Sequence, residues 1–211
     1  MDKSLLSASC RLAFAAFIHD IGKFAERAKI EVTQDKKERH QQIFCPEKDH
    51  RYFTHVHAAY TAIAIDTIEK YIPKINNTDT FPFQTDEKDN SIISAAAGHH
   101  KPRTFLQEII TTADRLSSAF ERSEYAEYNK MEENEDYQLA RLVPLFEEFD
   151  QITDAYTTKN NTNFKYRYPL NSLVVKNIFP EFKKDITKEE ATKEYRVLWN
   201  EFLEDIQKIK N

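Results

Sequence analysis

Along the 211-residue chain the apolar positions recur mostly at helical spacing, and few stretches alternate as strands do. The pattern predicts a first helix from about Ser4 to Ala28. Within it, Leu12 to Ile18 is apolar on every side, which predicts a buried central helix. A polar segment from Glu31 to about Arg51 contains Pro46 and reads as a loop or a short surface helix. A second helix is expected from about Thr54 to Tyr71, stopped by Pro73. After a loop over 76–90, a short helix covers about Ser91 to Ala97. Pro102 suits the first turn of the next helix, which runs to about Arg122. Its apolar face carries Phe105, Leu106, Ile109, Ile110, Ala113, Leu116 and Phe120.

Beyond that helix the chain turns acidic and two exposed helices are expected, the second around Tyr137 to Phe149. Thr153 to Pro180 reads as irregular, with extended pieces at Tyr166 to Leu170 and Leu173 to Val175. Thr187 with Glu190 forms a capping box that starts a last helix, running to about Lys208. The fold class is therefore all-α: a helical bundle with an irregular C-terminal linker and a final helix. The expected organisation is one unit over 1–150 and an extension over 151–211.

Composition narrows the function. The chain has only two glycines, Gly22 and Gly98, where an average protein of this length carries roughly 15. Neither a GxGxxG fingerprint nor a P-loop fits, since each needs glycines within a few residues. Turn-rich β folds are disfavoured too. No apolar run approaches the ~18 residues of a membrane span, and the N-terminal apolar stretch ends in His19-Asp20 rather than a cleavage site. Cys10 and Cys45 lack metal or redox spacing and read as free thiols. A soluble, cytoplasmic protein without a membrane partner is expected. The net charge is −5, which argues against a general nucleic-acid coat. Residues 121–150 alone hold ten Asp/Glu and three Lys/Arg, so the rest sums to +2 and leaves room for a local basic groove.

Candidate chemistry sits on the helices. Of seven histidines, His40 and His50 lie in the polar segment and read as solvated. The others form His19-Asp20, His55/His57 and His99-His100, with Asp114 on the helix that follows. His19-Asp20 taken alone also fits an Asp20–Lys23 helix pair beside a satisfied core histidine. On a helix, His55 and His57 point apart, so at most one of them is expected in a shared site. His99 and His100 point in different directions, and either is a candidate. Jointly these residues make a mixed nitrogen and oxygen set, which suits Mn²⁺, Fe²⁺, Co²⁺, Ni²⁺ or Zn²⁺.

Four motifs in order carry a family resemblance. They are FIHDIGKFAERA (Phe17 to Ala28), HAAYTA (His57 to Ala62), GHHKP (Gly98 to Pro102) and ADRLSSAFER (Ala113 to Arg122). The chain resembles the HD superfamily of metal-dependent phosphohydrolases. More closely, it is similar to the N-terminal HD nuclease domain of the large signature subunit of type III (Csm-type) CRISPR effector complexes. Tyr166 to Pro180 resembles the link from that domain to the rest of the subunit. In most HD enzymes a further histidine lies upstream of the HD pair, but only one helix precedes His19 here. The resemblance implies the permuted order of the CRISPR subunit, with the missing ligand supplied from downstream. The large subunits also carry a GGDD motif, which two separated glycines exclude. An excised domain, a truncated protein or a stand-alone relative is therefore expected.

The resemblance implies an HD-domain-like bundle and a single-stranded DNA nuclease, working with other subunits and a guide RNA. The cofactor expected is a divalent transition metal, one or two ions, Mn²⁺ first with Co²⁺ or Ni²⁺ as alternatives. Such ions provide an activated water and neutralise phosphate charge. Asp20 is the expected central ligand. His19, His57, His99 and Asp114 complete the set, with His100 a close substitute. Lys23 stabilises charge on the phosphate or orients the water, and Ser118 supports Asp114. Lys101, Arg103 and Arg115 are expected to meet backbone phosphates. Two competing readings are an HD-fold nucleotide phosphohydrolase and a non-catalytic docking module with a relic metal site.

Overall fold

The computed structural model describes residues 3–49, 52–71, 91–132, 139, 141–142, 144, 165–172 and 174–209. Among these the fold is helical, as expected. The helices are α1 (Lys3–Ile18), α2 (Ile21–Arg27), α3 (Gln34–Phe44), α4 (His57–Ile68), α5 (Ile92–Ala97), α6 (Phe105–Glu132) and α7 (Lys188–Ile209). Two short antiparallel ribbons join them: β1 (Glu47–Lys48) with β2 (Tyr52–Phe53), and β3 (Tyr166–Arg167) with β4 (Glu181–Phe182).

The buried central helix is α4, not α1. From Ala58 to Ile65 every α4 residue is buried. The run expected to be central, Leu12 to Ile18, buries Ala15 and Ile18 but leaves Phe17 84% exposed. Apolar residues on all sides of a helix do not by themselves bring neighbours to all sides. The expected first helix is also two helices. It breaks at His19-Asp20, a turn between α1 and α2.

Close approach explains that break. A Cβ on Gly22 would lie 1.9 Å from the His57 carbonyl oxygen and 2.5 Å from Thr61 Oγ1. Only glycine lets α2 lie this close to α4, and the chain bends at 19–20 to bring it there. Gly98 has a different neighbour, since a Cβ there would meet the Gln107 side chain at 2.6 Å.

Three apolar clusters surround α4. Ala15, Ile18, Ile65, Ile92, Ala95, Ala96 and Ile110 bring α1, α5 and α6 together. Ala25, Ala28, Tyr60, Ala64, Tyr195 and Trp199 join α2 and α7. Phe44, Cys45, Ala58, Ala59, Ala62 and Ala97 anchor the end of α3. Cys10 is exposed and Cys45 buried, and both are free. No described helix is long and apolar enough to cross a membrane.

Other element ends shift for identifiable reasons. Pro102 precedes α6 instead of opening it. Thr104 and Gln107 form a capping box at that point: Thr104 Oγ1 accepts from the Gln107 N–H at 3.4 Å, and Gln107 Oε1 accepts from the Thr104 N–H at 3.1 Å. Helix α6 also runs on past Arg122 to Glu132. Its expected apolar face is only partly core, because Ile110 is buried while Phe105 and Leu116 are 78% and 68% exposed. Gln107 and Thr111 are buried in their place. The Thr187–Glu190 capping box forms as expected, with Glu190 Oε2 accepting from the Thr187 N–H at 2.8 Å. Of the second expected acidic helix, Leu139, Arg141, Leu142 and Pro144 are described and none of them is helical; its other residues, His50, the Phe120 side chain and the unit boundary at 150 lie outside the described residues.

The two glycines give unequal predictions. Gly22→Ala forces a Cβ into backbone and is expected to cost roughly 3 kcal/mol or more, at the upper end of overpacking effects. Gly98→Ala presses on the buried Gln107 side chain, which Ser94 and the Arg103 and Thr104 N–H groups hold in place, and is expected to cost about 1–3 kcal/mol, less than a clash with backbone. Urea melts of the metal-free protein check the order; Gly22→Ala as stable as wild type contradicts the packing.

Candidate metal centre

His19 and Asp20 occupy the turn that ends α1, and His57 opens α4. His99 and His100 lie in a short 3₁₀ turn after α5, and Asp114 sits on α6. The fold brings all six together. Asp20 is the hub. Its Oδ1 lies 3.5 Å from His57 Nε2 and 3.8 Å from His99 Nε2, and its Oδ2 lies 3.4 Å from His19 Nε2. His19 Nε2 is 3.6 Å from Asp114 Oδ1. Lys23 Nζ donates to Asp20 Oδ2 at 2.6 Å. The expected brace on Asp114 is present, with Ser118 Oγ donating to Oδ1 at 3.4 Å.

Two histidines are fixed by the same local device. His19 Nδ1 lies 2.6 Å from the Ala16 carbonyl, and His99 Nδ1 lies 2.6 Å from the Ala96 carbonyl. A carbonyl only accepts, so each Nδ1 must carry the proton. In the neutral ring that leaves a bare lone pair on Nε2, aimed at Asp20. At three atoms the arrangement therefore brings acceptors together with no donor between them. His19 Nε2, His99 Nε2 and Asp20 Oδ1 are buried and have no hydrogen-bond partner. Buried acceptors facing one another are costly unless a cation lies between them. Nitrogen and carboxylate donors in this proportion suit a divalent transition ion. His19, Asp20 and His99 form one group spaced to hold an ion, and His57, His99 and His100 form another.

Both members of the His-His pair reach the cluster. His100 Nε2 lies 2.9 Å from His57 Nε2, and the His99 and His100 rings are 4.0 Å apart. His55 was expected to point away from His57, yet its ring lies 4.1 Å from that of His100. Its backbone is left-handed, at φ 52°, so helical geometry does not govern its direction. His40 takes no part, and it is not solvated as expected: it is half-buried and stacks on Phe44, with its Nδ1 shielded from solvent. The basic residues differ among themselves. Lys101 Nζ donates to the Gln42 carbonyl at 2.9 Å, whereas Arg103 and Arg115 are exposed.

The electrostatics suit a cation site. Burial opposes ionisation of Asp20, but the Lys23 hydrogen bond and charge, with His19 and His57, outweigh it and hold the carboxyl below its usual range. Burial pushes His57 down to about 4, against the pull of Asp20. Burial, reinforced by His99, His55 and His57, pushes His100 down to about 2. Burial also lowers His99, although the bond to the Ala96 carbonyl opposes it.

Sequence reasoning missed Thr61, Thr111 and Gln107. The Thr104-x-x-Gln107 spacing was the legible signal for Gln107. For the two threonines the signal was weaker: a hydroxyl in an otherwise apolar helical run.

The family model "Cas3, HD domain" matches residues 3–164. The chain belongs to the Cas3 HD-domain family. Neither a curated protein nor a solved structure matches it. Membership agrees with the motif order and makes the chain a metal-dependent HD nuclease domain of a CRISPR system. In this Cas3 HD chain the orphaned Nε2 and Oδ1 atoms converge where such an ion would bind.

The lowered histidines give a pH prediction. Above pH 6.5, their ordinary value, they are neutral whether the chain is folded or not. Below it the unfolded chain takes up protons that the folded site refuses, so stability falls as pH drops. The loss continues to about 4 for His57 and about 2 for His100. Melting temperatures of metal-free protein are expected to fall steadily from pH 7 to pH 5, and less steeply in His100→Asn. A profile that is flat, or that rises with acid, contradicts the burial of these rings.

Proposed function

We propose that this chain is a divalent-metal-dependent nuclease that cleaves single-stranded DNA. It acts in the cytoplasm as the HD part of a type III CRISPR effector, beside other subunits and a guide RNA. The observation that carries this reading is the convergence of His19, Asp20, His57, His99 and Asp114, with Lys23 bonded to Asp20. The four motifs in their order, Phe17 to Ala28, His57 to Ala62, Gly98 to Pro102 and Ala113 to Arg122, support the type III assignment.

A bound divalent ion, Mn²⁺ foremost, supplies Lewis acidity to the phosphate and an activated water. The chain's own residues do the rest. His19 and His99 present bare Nε2 atoms because their Nδ1 protons are engaged. Asp20 stays ionised under the influence of Lys23. Lys23 is 49% exposed, so its ammonium faces both the hub carboxylate and the solvent side, where a phosphate oxygen would approach. Arg103 and Arg115 remain exposed to hold flanking phosphates, whereas Lys101 first has to leave the Gln42 carbonyl. Residues 1–150 form the nuclease unit in this reading, and 151–211 extend it.

Metal-stripped protein reloaded with Mn²⁺ is expected to cut a labelled single-stranded oligonucleotide and spare the matching duplex. Asp20→Ala is expected to lower the rate at least about 100-fold, since it removes the hub of the set. Equal cleavage by variant and wild type would sink the proposal. Release of phosphate from nucleotides without DNA cleavage would favour a small-molecule hydrolase.

A further inference from the structure

Two buried threonines carry out the same operation on opposite sides of the metal centre. Thr61 Oγ1 donates to the His19 carbonyl at 2.8 Å and accepts from the Gly22 N–H at 3.1 Å. Thr111 Oγ1 lies 2.7 Å from the His99 carbonyl and shares its proton with the Gln107 carbonyl at 2.8 Å. Both side chains are sealed from solvent, at 0% and 2% exposure. His19 and His99 each stand just past the end of a helix, where backbone carbonyls lack intrahelical partners. A hydroxyl from a neighbouring helix satisfies each one.

The choice of neighbouring helix matters. Thr61 lies one turn after His57 on α4, and Thr111 lies one turn before Asp114 on α6. Each threonine therefore joins the backbone of one proposed ligand to the helix that carries another. Thr61 couples His19 to His57, and Thr111 couples His99 to Asp114. The Nδ1 bonds to Ala16 and Ala96 fix each ring relative to its own helix. The threonine bonds fix that helix end relative to the next ligand.

We infer that Thr61 and Thr111 are positioning residues that set the spacing of the metal ligands. This inference rests on the metal reading of the site and not on the nature of the substrate. Outer partners that orient metal ligands typically change affinity by about 10- to 100-fold when lost.

The test uses the full chain, stripped of metal, with Thr61→Val, Thr111→Val, Thr61→Ser and Thr111→Ser. Valine keeps the shape and removes the hydroxyl, while serine keeps the hydroxyl. Thr67→Val is the control, because Thr67 Oγ1 donates to the Ile63 carbonyl at 2.9 Å on the same helix and couples no ligand. Mn²⁺ affinity is read from the electron paramagnetic resonance of free ion, coordination from the visible spectrum of bound Co²⁺, and folding from circular dichroism. Each folded valine variant is expected to bind Mn²⁺ about 10- to 100-fold more weakly and to shift the Co²⁺ spectrum. The serine variants and Thr67→Val should match wild type.

Valine variants that bind like wild type would overturn the inference, as would serine variants or Thr67→Val that weaken as much as valine at 61 or 111. Failure of both valine variants to fold would also overturn it, because the hydroxyls would then serve the fold. Wild-type protein that binds Mn²⁺ but leaves DNA intact removes the nuclease proposal and leaves this one standing. Wild-type protein that binds no Mn²⁺ removes this one.

Discussion

The structure depends on a carboxylate held among lone pairs. Asp20 presents one oxygen to His57 and His99 and the other to His19 and Lys23. Two of the surrounding groups, His19 and His99, are bare acceptors at Nε2, His57 Nε2 is engaged with His100, and the Lys23 ammonium donates to the carboxylate. Such a set repels itself unless positive charge enters it. The helices must still hold it together before any ion arrives. This explains why the backbone around the centre is so heavily engaged: the Ala16 and Ala96 carbonyls, the Thr61 and Thr111 hydroxyls, and two glycines that admit a neighbour at contact distance.

The C-terminal helix belongs to the same arrangement. Tyr195 and Trp199 of α7 pack against Ala25 of α2, Ala28 just past its end, and Tyr60 and Ala64 of α4. Phe24 stacks edge-on to Trp199 at 5.2 Å. Arg27, in the last turn of α2, donates to the Tyr195 hydroxyl at 3.2 Å. Helix α2 has only seven residues, too few to hold its shape without tertiary support. It carries Lys23 on the face toward Asp20, and α7 backs it from the other side. The extension after the irregular segment therefore supports the residue that keeps Asp20 ionised.

Much of this was legible in the sequence because chemistry-bearing residues interrupt apolar runs. A His-Asp pair, a His-His pair and a lone carboxylate on helices that are otherwise apolar have few uses apart from one another. The break at 19–20 was not legible. Apolar spacing continues through it, and its cause is the contact between Gly22 and α4, some 35 residues further along the chain. His55 comes beside His100 because a direction inferred from helical spacing fails at a left-handed residue, although of the two histidines only His57 joins a group spaced to hold an ion among the described residues. The apolar stripe on α6 was read correctly as a stripe. Periodicity does not show whether the neighbour that covers it lies in the same chain, and Phe105 and Leu116 remain exposed.

The protonation states close the argument. A metal ligand has to be deprotonated, so ion binding at neutral pH usually releases protons and is weakened accordingly. In this site the release has already occurred. Burial keeps His57, His99 and His100 neutral, and Lys23 keeps Asp20 ionised. The cost that falls on folding is that of the buried acceptors left without partners, His19 Nε2, His99 Nε2 and Asp20 Oδ1. The large apolar interface of α4 with α2, α5 and α7 offsets it. Around α4, packing energy sustains a preorganised set of acceptors, which is why the most buried of the described helices is also the one that begins with His57.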